Sequence, residues 1–365
     1  MSDYKIVSAD DHMDLTFLPP NLWEERLESR FRDRAPKVEE TSSGKVWKTD
    51  GEVIGSSGKM LGGLVSAIGR TGIEDNGFRP STPELRLADM DTDGVHAQVI
   101  YGAPSGLKIK DPELKDACYR AYNDWGAEFN ASAPDRLCML AYLPLASPEA
   151  AVAEVHRAVK LGHRGVIFGI YETPIPVHDE RWEPLWSAVE EAGIPLSFHL
   201  GGGTSYLRNA QRTWEFAAFV AVVPMQMDEY LAAMVFSGAL ERHPGMKLVL
   251  GESGIGWVPY IVERMDMEWI NHTPSARDYK IVTKPSEVFA RQVYATYEDD
   301  RIGIKLIPDI GVDNVMWASD YPHPDSTFPH SVQSIEEQFA AVDPAIKRKV
   351  TSETAARLYG FDDAL

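Results

Sequence analysis

The chain is poor in cysteine, in basic residues and in long apolar stretches. Its 365 residues include two cysteines, Cys118 and Cys138, too few for a disulfide framework or a thiolate metal site, so we expect a reduced, cytoplasmic protein. Lys and Arg number 36 against 55 Asp and Glu, and a net charge of -19 argues against nucleic acid or an anionic membrane surface as a partner. No apolar run is long enough to span a membrane, so no membrane partner is expected.

Short apolar runs alternate with amphipathic stretches along the whole chain. Many of the runs are β-branched and apolar on consecutive positions, which is typical of parallel strands covered on both faces. They number eight and cover residues 5–9, 95–101, 137–144, 165–170, 195–200, 247–251, 293–297 and 315–318. Eight strands separated by helices predict a (β/α)8 TIM barrel that forms one domain over residues 1–365.

Residues 41–82 differ in composition from the rest of the chain, because they are rich in Gly and Ser. The segment VWKTDGEVI predicts a β-hairpin whose turn is Asp50-Gly51. We interpret the rest of 41–82 as an inserted arm or lid after strand 1. Such an arm, on an acidic surface, is compatible with a homodimer or higher homo-oligomer in which one subunit covers its neighbour.

Ligand-type side chains stand at the carboxyl ends of four of the eight predicted strands. They are Asp10 and His12, then His199, then Glu252, then Asp320. Each alone has an ordinary explanation: Asp10 as a turn or cap residue, His199 as a core histidine, Glu252 as a helix cap. Because barrel chemistry lies at the carboxyl ends of the strands, their coincidence predicts a metal site.

The mixture of imidazoles and carboxylates indicates the kind of ion. It suits one divalent metal, most often zinc, with manganese or iron as alternatives. Such an ion either lowers the pKa of bound water or polarises a substrate oxygen. His96 begins the second predicted strand, at the opposite end of the barrel, and we therefore expect it to be structural.

The residues that hold the substrate are harder to predict. Arg208 and Arg212 follow His199 in a loop-like stretch and are candidates for clamping a substrate carboxylate, with a surface ion pair as the alternative. Trp257 flanks the proposed site, where an aromatic either packs in the core or stacks on a ring. His323 follows Asp320 closely and is predicted to contact the substrate or to orient Asp320.

Several stretches resemble the amidohydrolase superfamily, specifically its amidohydrolase-2 branch, which includes the aminocarboxymuconate-semialdehyde decarboxylase-like enzymes. GESGIGW…ERMD and SDYPHPDSTFPHS carry the resemblance most specifically. SADDHMDLTFLPPNLWEERL, LSFHLGGG and TAARLYGF extend it over nearly the whole chain.

The resemblance implies a single divalent metal, usually zinc, in a distorted TIM barrel. It places the metal ligands on Asp10, His12, His199 and Asp320, with Asp320 also serving as acid or base. The chain departs from the pattern at two positions. Asp10 stands where many members have histidine, and Glu252 stands where the decarboxylases have a catalytic histidine.

These features predict a metal-dependent hydrolase acting on a small cyclic or aromatic carbonyl compound. Metal-activated water would attack the carbonyl, with Asp320 as acid or base and Glu252 as a second catalytic candidate. The alternative is a non-oxidative decarboxylase of a small aromatic or unsaturated carboxylic acid. A third possibility, an inactive barrel that serves as a binding module, is disfavoured by the intact ligand set.

Overall fold

The structure, a computed structural model, describes residues 4–42, 44–59, 65–102, 106–173, 175–201, 214–272 and 281–365. The strands are β1 (Ile6–His12), β2 (Lys37–Thr41), β3 (Gly44–Thr49), β4 (Glu52–Ser56), β5 (Val95–Tyr101), β6 (Leu137–Met139), β7 (Ala141–Tyr142), β8 (Val166–Ile167), β9 (Leu196–His199), β10 (Leu248–Gly251), β11 (Val293–Tyr297) and β12 (Val315–Trp317). Two sheets are parallel, in the orders β1-β5-β6 and β12-β11-β10-β9-β8-β7, and the third, β2-β3-β4, is antiparallel.

Helices fill most connections between the parallel strands, as the apolar periodicity predicts. They are α1 (Leu22–Arg26), α2 (Ala67–Thr71), α3 (Pro83–Asp93), α4 (Pro112–Ala131), α5 (Pro148–Leu161), α6 (Glu183–Ala192), α7 (Trp214–Val222), α8 (Met227–Phe236), α9 (Ala239–Arg242), α10 (Val258–His272), α11 (Pro285–Gln292), α12 (Arg301–Lys305), α13 (Ile307–Ile310), α14 (Ser331–Gln338), α15 (Pro344–Arg348) and α16 (Thr354–Tyr359). Asp111 caps α4, because its carboxylate accepts from the backbone N–H groups of Glu113 and Leu114.

Each of the eight predicted apolar runs contains an observed strand, and the differences lie at their ends. The first strand continues to His12, because its ladder with β5 runs as far as the pair His12 and Tyr101. The third run is interrupted at Leu140, whose N–H bonds to β5 at Ile100, whereas the next residue, Ala141, bonds to the carbonyl of Gly165. The third strand thus changes partner and links the two parallel sheets.

Backbone hydrogen bonds also join β1 to the segment that follows β12, and we call this second junction between the two parallel sheets the seam. The N–H of His12 donates to the carbonyl of Tyr321 at 2.7 Å, and the N–H of Asp320 donates to the carbonyl of Asp10 at 3.1 Å. Within the parallel sheets, neighbours follow chain order, as they do in a (β/α)8 barrel. The predicted TIM-barrel type of fold is confirmed.

The inserted arm contains the predicted hairpin. Asp50 and Gly51 both have positive φ, 49° and 78°, as a type I′ turn between β3 and β4 requires. The insertion begins earlier than predicted, because β2 pairs with β3. Trp47 anchors this sheet, since its buried ring packs edge-on against Trp23 at 4.8 Å. Residues 60–64 of the arm lie outside the described part.

One stretch is apolar enough to bear on the question of a membrane. Trp214–Phe236, which contains α7 and α8, could cross a membrane by length and composition alone. Core helices of soluble proteins pass the same test, so this is weak evidence. The absence of a membrane partner, the cytoplasmic location and the homo-oligomeric state remain predictions.

A buried arginine, Arg86, lies near the buried carboxylate of Asp11 on β1. Arg86 on α3 is fully buried, and it donates to Gln98 Oε1 at 2.7 Å and to the carbonyl of His12 at 3.0 Å. Burial raises the pKa of Asp11 to about 7, while the nearby Arg86 guanidinium opposes that shift. Arg86 therefore compensates a buried carboxylate and also holds the carboxyl end of β1.

We predict that Arg86→Met lowers the free energy of unfolding by about 3–5 kcal/mol, because it leaves Asp11 without its buried counter-charge. Urea denaturation measures the change. Arg30→Met is the matched control, since the Arg30 side chain is 61% exposed and its loss should cost less than about 0.5 kcal/mol. Equal effects of the two substitutions would contradict the buried-pair interpretation.

Candidate active site and metal centre

Four of the predicted site residues meet at the carboxyl ends of the parallel strands. His12 Nε2 lies 2.9 Å from Asp320 Oδ1 and 3.7 Å from Asp10 Oδ1. His199 Nε2 lies 3.4 Å from the same oxygen of Asp10. All four side chains are buried, although their positions in the chain span more than 300 residues. The structure therefore brings together Asp10, His12, His199 and Asp320.

The polar atoms at this centre are left without hydrogen bonds. Asp10 Oδ1, His12 Nε2, His199 Nε2 and both Asp320 oxygens are buried and have no hydrogen-bond partner within the described residues. Buried polar atoms are rarely left so, because each unsatisfied group is costly. Potential ligand atoms of Asp10, His12 and His199 lie within 4.8 Å of one another, and so do those of His12, Glu252, Asp320 and His323. This nitrogen and oxygen donor set fits a divalent cation.

Neighbouring groups orient the candidate ligands. The carbonyl of Leu200 lies 2.6 Å from Nδ1 of His199, which leaves Nε2 facing the centre. Asp10 is held through its other oxygen, Oδ2, which accepts from Thr296 Oγ1 and from the backbone N–H of Glu252, both at 2.7 Å. Its Oδ1 is thereby left to point at the two histidines.

Glu252 belongs to the same inner group. Its Oε2 lies 3.4 Å from His199 Nε2 and 3.6 Å from His12 Nε2. Glu252 and Asp320 both have positive φ, 50° and 58°, a conformation that costs energy in residues other than glycine. The fold thus holds both carboxylates in strained positions that aim them at the centre. In this arrangement Glu252 is a further candidate ligand or base.

His323 forms part of the centre, and it brings in Asp14, which was not among the predicted site residues. The Nδ1 atom of His323 lies 2.9 Å from Asp320 Oδ1, and its Nε2 lies 3.0 Å from Asp14 Oδ2. Its ring stacks on that of His12 with centroids 3.8 Å apart. Of the two predicted roles of His323, these contacts favour orienting Asp320. The two-residue spacing from Asp10 through His12 to Asp14 was the available signal for Asp14.

The electrostatics of the three histidines differ. Burial, together with the neighbouring His323 and His199, lowers the pKa of His12 well below its ordinary value. Burial also lowers the pKa of His199, but Asp10 and Glu252 outweigh it and raise that pKa to about 9. For His323, Asp320 and Asp14 likewise outweigh burial and raise the pKa. The carboxylates attract positive charge strongly, and a metal ion would replace protons here.

A cavity of about 400 Å³ opens beside the centre. Trp257 lines it as predicted, together with apolar residues such as Leu200 and Val223, and with Glu252, Glu298 and Asp325. Sequence reasoning missed Glu298 and Asp325. Glu298 directly follows β11, so extending the strand-end rule to the seventh predicted strand would have found it. A larger cavity, about 670 Å³, lies between α12–α13 and α14–α15 and shares only Asp299 with this one.

The predicted carboxylate clamp lies outside the described residues. Arg208 and Arg212 fall within 202–213, which the structure does not describe. His96 does lie at the opposite end of β5, where its Nε2 contacts Asp363 at 3.0 Å. This contact supports the structural role predicted for His96.

Comparison with known proteins identifies the family. A family model described as amidohydrolase matches residues 23–361, most of the chain. The chain belongs to the amidohydrolase family. The resemblance noted in the sequence is thereby confirmed.

Similar members of the family are mostly decarboxylases. The gamma-resorcylate decarboxylase of Rhodococcus jostii is 26% identical over 305 residues, which cover 76% of this chain and 88% of that protein. The crystal structure of an amidohydrolase from Mycobacterium avium subsp. paratuberculosis has a TM-score of 0.76 at 20% identity, covering 99% of this chain and all of that one. A dihydroxybenzoic acid decarboxylase from Polaromonas, solved with bound manganese and the inhibitor 2-nitroresorcinol, has a TM-score of 0.65 at 17% identity and covers 98% of each chain.

These comparisons reverse the preference between the two predicted reactions. An enzyme of the amidohydrolase family is supported, but the relatives favour decarboxylation, the alternative, over the hydrolysis that we expected first. The sequence pattern could not distinguish hydrolysis from decarboxylation, because both reactions use the same metal-ligand residues. The distinction depends on the groups that hold the substrate, and two predicted candidates for that role, Arg208 and Arg212, lie outside the described residues.

We predict that His199→Ala lowers the metal content to about a tenth of an equivalent or less, because an inner imidazole is lost. Elemental analysis of the purified protein measures it. His96→Ala, which removes a histidine at the other end of the barrel, is the control and should retain wild-type metal content. Full occupancy in His199→Ala would show that His199 is not a ligand.

Proposed function

We propose that the protein is a metal-dependent, non-oxidative decarboxylase of a small hydroxylated aromatic carboxylic acid. The observation that carries this proposal is the buried, unsatisfied cluster of Asp10, His12, His199 and Asp320 beside a cavity of about 400 Å³. The similarity to gamma-resorcylate decarboxylases supports the reaction class. A cavity of this size accommodates a single substituted ring.

We propose manganese rather than zinc as the resident metal. Three carboxylates, those of Asp10, Glu252 and Asp320, surround two imidazoles at the centre. An oxygen-rich set of this kind suits a hard cation, whereas zinc prefers fewer, softer ligands. The manganese in the Polaromonas decarboxylase supports this choice. When bound, the ion supplies a fixed positive charge that attracts the substrate carboxylate and an adjacent oxygen.

The cavity walls position the ring. Leu200, Val223 and Trp257 provide apolar surface on which an aromatic ring packs. Trp257 is fixed for this role, because its indole N–H donates to the carbonyl of Ser253 at 2.7 Å. The apolar wall also excludes water from the carbon that must accept a proton.

Asp320 is the proposed proton donor. Decarboxylation breaks the bond between ring and carboxylate, releases carbon dioxide and places a proton on the ring carbon. Asp320 lies at the metal centre, and His323 contacts its Oδ1 at 2.9 Å. The Oδ2 atom of Asp14 contacts the other ring nitrogen of His323, Nε2, at 3.0 Å. In this arrangement His323 both orients Asp320 and returns to it the proton that each turnover consumes.

Hydrolysis remains the second candidate because of one residue. Glu252 stands where the decarboxylases that the sequence resembles have a histidine, and its carboxylate lies within 3.6 Å of both inner imidazoles. A glutamate there can act as base toward water, and it cannot take over the histidine's role unchanged.

We predict that the manganese-loaded protein releases carbon dioxide from gamma-resorcylate or a related hydroxybenzoate. In deuterated water the product should carry deuterium at the carbon that lost the carboxylate, because the proton comes from exchangeable groups. In ¹⁸O-labelled water, the organic product of decarboxylation should gain no label. Label in the product without gas release would support hydrolysis instead and overturn the proposed reaction.

We predict that Asp320→Asn lowers kcat by about 100-fold or more, because asparagine cannot donate the proton. Circular dichroism and elemental analysis should show that the fold and most of the metal are retained. Asp309→Asn, which removes a charge from an exposed helix position, should leave kcat unchanged. Unaltered kinetics in Asp320→Asn would exclude Asp320 from the reaction.

A further inference from the structure

A buried threonine joins the two positions at which the chain departs from the family pattern. Thr296 lies on β11 and is 0% exposed. Its Oγ1 atom lies 2.7 Å from Oδ2 of Asp10 and 2.7 Å from the backbone nitrogen of Glu252. The same backbone nitrogen lies 2.7 Å from Asp10 Oδ2. The Asp10 carboxylate, the Thr296 hydroxyl and the Glu252 N–H thus form a closed set of hydrogen bonds, which we call the threonine triangle.

The direction of each bond in the threonine triangle follows from the chemistry of the groups. A backbone N–H can only donate, so Thr296 Oγ1 and Asp10 Oδ2 both accept from Glu252. The hydroxyl proton of Thr296 then has two possible acceptors, Asp10 Oδ2 at 2.7 Å and the carbonyl of Leu250 at 3.4 Å. The shorter, charge-assisted bond to the carboxylate is the stronger of the two. Asp10 Oδ2 therefore receives two hydrogen bonds from rigidly held donors.

The two oxygens of Asp10 are consequently not equivalent. Oδ2 has two donors, whereas Oδ1 has no hydrogen-bond partner within the described residues and lies 3.4 Å from His199 Nε2 and 3.7 Å from His12 Nε2. Rotation of the carboxylate would break both bonds of Oδ2. The group also has little room to move, because a Cβ added at Gly251 would lie only 3.2 Å from Oδ2. The threonine triangle thus fixes which oxygen faces the centre.

The threonine triangle also holds the backbone of Glu252. This residue has a φ of 50°, a left-handed conformation that is unfavourable for residues other than glycine. Its N–H is held in place by two acceptors, Thr296 Oγ1 and Asp10 Oδ2. From this fixed backbone, the side-chain Oε2 of Glu252 reaches to within 3.4 Å of His199 Nε2. The position of the Glu252 carboxylate therefore depends in part on the Thr296 hydroxyl.

We propose that Thr296 is a positioning residue of the metal centre. Its hydroxyl makes Asp10 a ligand through Oδ1 alone and fixes the backbone from which Glu252 reaches the centre. A carboxylate that binds through one oxygen takes one coordination position rather than two, which leaves a position for a substrate oxygen. The assignment rests on the metal centre of the proposed function, but it does not depend on the reaction or on the substrate.

The test compares two substitutions that separate the hydroxyl of Thr296 from its shape. Thr296→Val keeps the branched shape and removes the hydroxyl, whereas Thr296→Ser keeps the hydroxyl and removes the methyl group. Manganese affinity is measured by competition with a chelating dye. We expect Thr296→Val to weaken Mn²⁺ binding by about 10- to 100-fold and Thr296→Ser to stay within about threefold of the wild type, because hydrogen bonds to a ligating carboxylate tune metal affinity.

Electron paramagnetic resonance of the bound Mn²⁺ gives a second readout, one that a loss of packing alone would not move. Freeing Asp10 Oδ2 changes the symmetry of the ligand set, so the zero-field splitting in Thr296→Val should differ from that of the wild type. The spectrum of Thr296→Ser should match the wild-type spectrum, because the hydroxyl is still present.

Thr351→Val is the matched control. Thr351 is also a fully buried threonine, and its Oγ1 donates to the carbonyl of Lys347 at 2.8 Å and contacts the Tyr4 hydroxyl at 2.8 Å. Tyr4 precedes β1, so this threonine lies at the amino end of that strand, away from the metal centre. Removal of its hydroxyl should lower the free energy of unfolding but leave the manganese affinity unchanged.

The assignment fails if Thr296→Val binds Mn²⁺ as tightly as the wild type does, an outcome that leaves the metal centre of the proposed function intact. It also fails if Thr296→Ser and Thr296→Val weaken binding equally, because the cause would then be packing. A wild type that binds no Mn²⁺ would refute the metal centre and the role of Thr296 together. Circular dichroism checks the fold, and where Thr296→Val does not fold, Thr296→Ala against Thr296→Ser makes the same comparison.

Discussion

The candidate site depends on the seam between β1 and the segment after β12. Backbone bonds join His12 to Tyr321 and Asp320 to Asp10. Asp11 strengthens the seam, because its Oδ1 accepts from Ser319 Oγ at 2.5 Å and from the N–H of Tyr321 at 3.0 Å. Alternation along the strand then sends Asp10 and His12 to the other face. The end of β1 thus supplies both the hydrogen bonds of the seam and two candidate metal ligands.

The seam also explains why the site tolerates so much negative charge. Arg86 lies behind it, where it bonds to the carbonyl of His12 and faces Asp11. The structural carboxylate is therefore compensated by an internal cation. The carboxylates on the other face, including Asp10 and Asp320, have no such arginine among the described residues. Their uncompensated charge would attract a metal ion, and this difference distinguishes the candidate ligands from the structural carboxylate of Asp11.

The parallel strands could be predicted because burial on both faces makes them continuously apolar. The same rule fails for β2, whose sequence KVEET is polar and whose residues are partly exposed. Strand-end position predicted the residues that meet at the inner centre, since the barrel's geometry fixes where a strand's last side chains point. Asp325 could not be found that way, because it lies in a loop after β12 and its direction depends on loop geometry. Lone acidic residues in loops are too common to be informative.

The choice between the two reactions depends on where Glu252 directs its carboxylate. Its backbone N–H holds Asp10, and its side chain turns to the two inner imidazoles. A carboxylate fixed there would share the charge of a bound metal ion, so it is poorly placed to act independently on the far side of a substrate. The apolar wall around Trp257 and the carboxylates Glu298 and Asp325 are what remain to contact the ring. In the decarboxylation that we propose, a ring between these surfaces presents its carboxylate to the centre and its ring carbon to Asp320, so the arrangement suits loss of carbon dioxide better than attack by water.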